Sequence, residues 1–120
     1  MRLRAEDITR IESEAGILAT LVYHPEFSLY SENLLPNHFF NKENRYIYAA
    51  ICNLAQRGIE RVDAYSIIES LRSKEGTAPF ANELTIDQLH DFIENSENLA
   101  RHTLEDYKLC VDNVMDAAFR

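Results

Sequence analysis

Apolar residues recur at intervals of three and four along most of the chain, which is the spacing of one face of an α-helix. The first such segment covers residues 6–23 and predicts a core-facing helix, because its apolar face is too wide for a coiled-coil seam. His24-Pro25 is predicted to end this helix, since a residue before proline avoids the helical conformation. The predicted apolar face contains Ile8, Ile11, Ala15, Ile17, Leu18, Leu21 and Val22.

Further helices follow from the same spacing and from local start and stop signals. Asp63 is the predicted N-cap of the fourth helix, and Thr85 with Gln88 forms a capping box before the fifth. Residues 74–83 contain a glycine and a proline and are predicted to be the longest loop. No strand-like alternation persists, so the predicted fold is all-α with about six helices. After the first, the predicted helices cover residues 25–34, 43–57, 64–73 and 86–94, and a last one starts after Thr103.

The last helix has an apolar stripe that is still running at Arg120, with no stop signal. We therefore expect the natural chain to continue beyond this point. Little of the sequence remains to cover the end of the stripe, and an uncovered apolar helix face usually finds a partner. This predicts a two-fold dimer in which the helix meets its own copy, the alternative being that the stripe folds back onto the same chain. The residues predicted to self-associate are Tyr107, Val111, Val114, Met115 and Ala118.

Composition limits the class of partner and the compartment. The 120 residues include 20 acidic and 12 basic side chains, giving a net charge of −8. Such a chain is repelled by phosphate backbones, so direct nucleic-acid binding is not expected. The N-terminal stretch "MRLRAEDITRIESE" turns acidic where a signal peptide would be apolar, and no apolar run is long enough to span a membrane. The two cysteines predict free thiols, and the protein is predicted to be soluble and cytoplasmic.

No motif for catalysis, cofactor binding or metal binding is found in the sequence. The three glycines are far apart, so a glycine-rich phosphate-binding loop cannot be built from them. The histidines show no pairing at the spacing of one helical turn, so no metal site is predicted. The acidic pairs are interpreted as solvated helix faces. The glycines are Gly16, Gly58 and Gly76, and the histidines are His24, His38, His90 and His102. The acidic pairs are Glu12 with Glu14 and Asp87 with Asp91.

The aromatic-rich stretch "LLPNHFFNKENRYIYAAICNLAQRG", residues 34–58, has few basic residues among its aromatics. Stacking platforms for nucleic acid interleave aromatic with basic side chains. We therefore interpret Phe39 and Phe40 as a hydrophobic plug that holds the preceding turn onto the core.

Five collinear blocks resemble the N-terminal domain of DnaB-type replicative helicases. Each block alone is mostly a core pattern, but their order and spacing are specific to that family. Ala19, His38 and Gln88 depart from the family pattern, and we therefore expect a divergent member, from a phage or mobile element. The blocks are "ESEAGILATLVYHPE" (12–26), "LLPNHFF" (34–40), "NRYIYAAICNLAQRG" (44–58), "GIERVDAYSIIESL" (58–71) and "TLEDYKLCV" (103–111).

The resemblance implies a non-catalytic collar domain that assembles a hexameric helicase and recruits primase or a helicase loader. It implies a helical head with the first hairpin helix in residues 1–102, and the start of the second hairpin helix in residues 103–120. The motor domain, which binds ATP and Mg²⁺, would follow, and this domain would need no cofactor and would contact neither nucleic acid nor membrane. A free-standing helical adaptor or loader, a small all-α enzyme and a nucleic-acid binder remain as alternatives.

Overall fold

The computed structural model describes residues 5–60 and 62–119, with side chains from Ile8 onward. Two 3-10 helices, Pro25–Tyr30 and Pro36–His38, lie between the first two α-helices, and no strand is found in these ranges. The all-α prediction is therefore confirmed. No helix in these ranges is both long and apolar enough to span a membrane. The α-helices are α1 (Ala5–Tyr23), α2 (Lys42–Gln56), α3 (Ala64–Arg72), α4 (Ala78–Ala81), α5 (Ile86–Leu99) and α6 (Leu104–Ala118).

Helix α1 is the centre of the domain. It packs most extensively against α6 and α5, and also against α2 and the first 3-10 helix. Small residues allow this close approach: a Cβ atom added at Gly16 would lie 3.3 Å from the Sγ of Cys110. The apolar part of α1 therefore forms the middle of the hydrophobic core rather than one wall of it.

The first part of α1 differs from its sequence prediction. Ile8 and Ile11 were predicted to face the core, but they are 45% and 53% exposed. Neighbouring elements cover the helix on nearly all sides from Ser13 to Val22, and much less before that. The predicted face therefore holds for Ile17, Leu18, Leu21 and Val22, because periodicity carries no information about how far along a helix, or on how many sides, the packing extends.

In place of the helix predicted over residues 25–34, the structure has a shorter helix of a different type. It is a 3-10 helix that ends at Tyr30, and the chain then turns so that Leu34 is buried while Tyr30 is 57% exposed. The hydroxyl of Ser31 donates to the carbonyl of Ser28 at 3.1 Å, which offers the backbone an alternative to α-helical hydrogen bonding. The helix thus stops at this local bond, where the apolar spacing alone would continue it.

The predicted loop over residues 74–83 contains the short helix α4. Phe80 in this helix is buried, and its ring stacks on the ring of Tyr46 with 3.6 Å between the centroids. Pro79 lies in the first turn of α4, where a proline is tolerated, so it does not act here as the loop signal that the sequence indicated.

The last two helices both pack on α1 rather than chiefly on each other. Helix α5 extends to Leu99, five residues beyond its predicted end, and α6 returns along α1. Among the described residues the contact between α5 and α6 is minor, so they do not form an isolated hairpin here. The expected division of the chain between residues 102 and 103 stays a prediction. Arg120, where the predicted apolar stripe of the last helix is still running, lies outside the described residues.

The capping box before α5 gives a direct test of a local sequence signal. Thr85 Oγ1 accepts from the backbone N–H of Gln88 at 3.1 Å, and the Gln88 side chain accepts from the N–H of Thr85 at 3.0 Å. Because Thr85 is exposed, Thr85→Ala should lower the free energy of unfolding by about 1 kcal/mol through the lost cap alone. Thr85→Ser, which keeps the hydroxyl, should lie within about 0.5 kcal/mol of wild type. Equal stability of the two variants in urea denaturation would show that the cap is not stabilising.

Candidate protein-interaction surfaces

A buried carboxylate on α1 organises the turn that precedes α2. Glu14 is 2% exposed. One of its oxygens accepts from the backbone N–H of Phe40 at 2.8 Å, and the other accepts from the side-chain amide of Asn44 at 3.0 Å. Arg10 forms an ion pair with the same carboxylate at 3.3 Å. The sequence interpretation of Glu14 as part of a solvated face was therefore wrong, whereas Glu12 is exposed as expected.

This turn directs two adjacent phenylalanines to opposite environments. Phe39 is fully buried against the ring of Tyr48, with 4.8 Å between the centroids, and its carbonyl accepts from Arg45 Nε at 2.7 Å. Phe40 is 73% exposed. The predicted hydrophobic plug is thus confirmed for Phe39 and wrong for Phe40, whose side chain lies on the surface.

Exposed apolar side chains are found on the first turns of α1, on the turn before α2 and at the end of α6. The Arg10 guanidinium lies 5.3 Å from the centre of the Phe40 ring and donates to the carbonyl of His38 at 2.9 Å. The His38 ring in turn lies 5.2 Å from the ring of Phe119. We call the exposed apolar residues of this region the end surface: Ile8 (45% exposed), Ile11 (53%), Phe40 (73%) and Phe119 (72%).

The five residues predicted to self-associate occupy two different environments. Tyr107, Val111 and Val114 are buried within the chain, so they are not on the surface that a second copy would meet. Met115 and Ala118 are partly exposed. The reason is that the stripe of α6 folds back onto α1 and the 3-10 segments, as the alternative interpretation of the sequence stated. Self-association itself stays a prediction.

A small hydroxyl cluster holds the first 3-10 helix against the core. Ser31 Oγ lies 2.8 Å from the Tyr107 hydroxyl and 3.2 Å from the Tyr48 hydroxyl, and the latter donates to the carbonyl of Leu34 at 3.0 Å. Burial raises the pKa of both tyrosines well above the ordinary value of a phenol. Both therefore remain neutral hydrogen-bonding groups at physiological pH. Tyr107 thus has a structural role that its apolar spacing did not indicate.

A second exposed apolar region lies beside this cluster. A cleft of about 350 Å³, which we call the groove, runs between residues 28–36 and α2. Leu29 and Leu35 on its rim are 58% and 50% exposed. The partly exposed Cys52 contributes to its lining, and burial raises the pKa of this thiol, which keeps it in the protonated, weakly nucleophilic form. The groove therefore has an apolar rim and a protonated thiol in its wall, beside the polar side chains of Ser28, Glu32 and Gln56.

Within the part of the chain that the structure describes, no group of three or more His, Cys, Asp and Glu side chains is placed to hold a metal ion. Every side-chain nitrogen and oxygen atom that is buried in these ranges has a hydrogen-bond partner. The polar interior of the described domain is thus fully used in holding the fold together.

The described domain thus combines a core whose buried polar atoms are all satisfied with several exposed apolar side chains. The family model described as the DnaB-like helicase N terminal domain matches residues 6–105. This range covers most of the chain, which therefore belongs to the DnaB-like helicase N-terminal domain family, as the sequence blocks indicated. Comparison with curated proteins gave no match, and neither did comparison with solved structures. An origin in a phage or mobile element stays a prediction.

Proposed function

We propose that this domain is the non-catalytic N-terminal collar domain of a DnaB-type replicative DNA helicase, where it mediates assembly and recruits primase or a helicase loader. The observation that carries the proposal is the family match over residues 6–105. In this proposal ATP and Mg²⁺ are bound by the motor domain of the full protein, and the collar domain needs no cofactor. The net charge of −8 supports a role in binding proteins rather than DNA.

Assembly is assigned to the end surface. Its four apolar side chains are 45–73% exposed, and burying such side chains against a second copy removes apolar area from water. The partly exposed Met115 and Ala118 lie on the same end of α6 and would add to the contact. We propose a two-fold contact in which the end surface of one copy meets the end surface of another, so that each exposed side chain contributes twice.

Recruitment of primase or a loader is assigned to the groove. It is a concave region with Leu29 and Leu35 on its rim, and it can receive an apolar side chain of a partner helix. The acidic charge of the domain favours a partner with basic residues around that side chain, because complementary charge speeds association.

The two assignments can be tested against each other with matched charge substitutions. Sedimentation of the wild-type chain should show a mass that rises with concentration. Phe119→Asp and Ile11→Asp should each weaken this self-association at least about tenfold, because a charge is costly to bury in an apolar contact. Leu35→Asp, on the groove, should self-associate as the wild type does and should instead lose binding to the partner. Equal self-association of Phe119→Asp and wild type would remove the end surface from the assembly contact.

A further inference from the structure

Two histidines that lie far apart in the sequence meet at the surface of the domain. His24 follows the end of α1, and His102 lies in the connection between α5 and α6. The Nε2 atom of His24 and the Nδ1 atom of His102 are 3.3 Å apart. Because 78 residues separate them, no spacing rule applied to the sequence could pair them.

Neighbouring groups hold both imidazole rings in place. The His24 ring stacks on the Phe27 ring, with 4.8 Å between the centroids and 14° between the planes. The His102 ring meets the edge of the Tyr23 ring at 5.8 Å. Next to His102, the backbone N–H of Arg101 donates to the hydroxyl of Thr20 at 2.7 Å, which fixes the connection to α1. The two rings thus point at each other, with 5.6 Å between their centroids, and their facing nitrogens share a hydrogen bond.

We propose that His24 and His102 form a two-histidine binding site for a divalent transition-metal ion such as Zn²⁺. Tetrahedral Zn²⁺ holds imidazole nitrogens at about 2.0–2.1 Å, which places two such nitrogens about 3.3–3.4 Å from each other. The observed 3.3 Å between His24 Nε2 and His102 Nδ1 is the same separation, so an ion can replace their hydrogen bond once the rings turn to converge on it. Water would fill the remaining coordination positions, so the affinity is expected to be lower than that of a site with four protein ligands.

The second nitrogen of His24 supports this assignment. Its Nδ1 lies 3.5 Å from a carboxylate oxygen of Glu26. A histidine that binds a metal ion usually directs its other N–H to a carboxylate or carbonyl, which fixes the tautomer and orients the ring. With the proton on Nδ1 facing Glu26, the lone pair of Nε2 accepts a hydrogen bond from Nδ1 of His102 in the ion-free chain. When the ion binds, His102 carries its proton on Nε2 instead, which frees Nδ1 as the second ligand.

The ion would link the end of α1 to the α5–α6 connection, because each segment provides one of its two histidine ligands. It binds the folded chain, in which the two imidazoles are together, more tightly than the unfolded chain, in which 78 residues separate them. The site is separate from the end surface and the groove, so this inference stands or falls independently of the proposed function.

Thermal unfolding of the 120-residue chain at pH about 7.5 with added Zn²⁺ tests the site. Saturating Zn²⁺ should raise the midpoint by about 5 °C or more, and a chelator should reverse the shift. Mg²⁺ at the same concentration should have no such effect, because it prefers oxygen ligands. His24→Ala and His102→Ala should abolish the shift, whereas His90→Ala, an exposed histidine elsewhere, should keep it.

Nitrogen NMR of the imidazoles gives a readout that does not depend on the stability of the variants. Zn²⁺ should move the signals of His24 Nε2 and His102 Nδ1 together, at one stoichiometric equivalent, while those of His38 and His90 stay in place. A Zn²⁺ shift of the unfolding midpoint that persists in His102→Ala, or an NMR response without His24 and His102, would overturn the proposal. So would the absence of any response in the wild-type chain.

Discussion

Phe39→Ala is expected to lower the free energy of unfolding by about 3–5 kcal/mol, whereas Phe40→Ala should change it by less than about 0.5 kcal/mol. The two residues are adjacent and chemically identical, but Phe39 is fully buried and Phe40 is 73% exposed. Removing the Phe39 ring deletes its contact with Tyr48 and leaves a cavity in the core beneath the turn.

Urea denaturation of both variants, followed by circular dichroism, measures this difference. Each variant is the control for the other, because both lose the same side chain from the same turn. If Phe40→Ala lowered the free energy of unfolding greatly and Phe39→Ala lowered it only slightly, the turn would have the opposite orientation. The end surface would then lose one of its aromatic residues.

Glu14→Ala is expected to lower the free energy of unfolding by about 3 kcal/mol, the cost of leaving buried polar groups without partners. The carboxylate accepts from the Phe40 N–H and from the Asn44 side chain, and it pairs with Arg10. Its loss would release the turn that places Phe39 in the core. Glu12→Ala removes an exposed carboxylate two residues away and should change stability by less than about 0.5 kcal/mol.

Hydrogen exchange separates the effect of Glu14 on the turn from its effect on global stability. In Glu14→Ala the Phe40 amide has lost its acceptor, so it should exchange faster than the loss of global stability alone would explain. The amides of α5, which are remote from this turn, should exchange at rates set by global stability alone. An unchanged Phe40 amide in a variant of wild-type stability would show that the carboxylate does not hold the turn.

Periodicity and capping signals were sufficient to predict the long helices. Helix α2 was predicted over residues 43–57 and covers Lys42–Gln56, and Asp63 caps α3 as its sequence indicated. These signals are local: they depend on residues within one or two turns of each other. Helix α4 was missed because its four residues are too few to show a period, and a proline in its first turn resembles a loop signal.

The interaction surfaces were predicted less well, because exposure depends on contacts between distant segments. The spacing of Tyr107 and Val114 identifies an apolar face, but not whether α1 or a second copy covers it. In the same way, the environment of Glu14 depends on a turn 26 residues further along the chain. Residues on the end surface carry no distinguishing local pattern, since Ile8 and Ile11 have the same spacing as the buried residues of α1.

Amide NMR of the wild-type chain at increasing concentration tests the proposed assembly through the end surface. Signals around Ile8, Ile11, Phe40 and Phe119 should shift or broaden as the concentration rises, while those around the groove at Leu29 and Leu35 should stay constant. Spectra that are identical at all concentrations would rule out this contact. Changes confined to the groove would rule it out equally, because they would place the contact between copies on the surface assigned here to another partner.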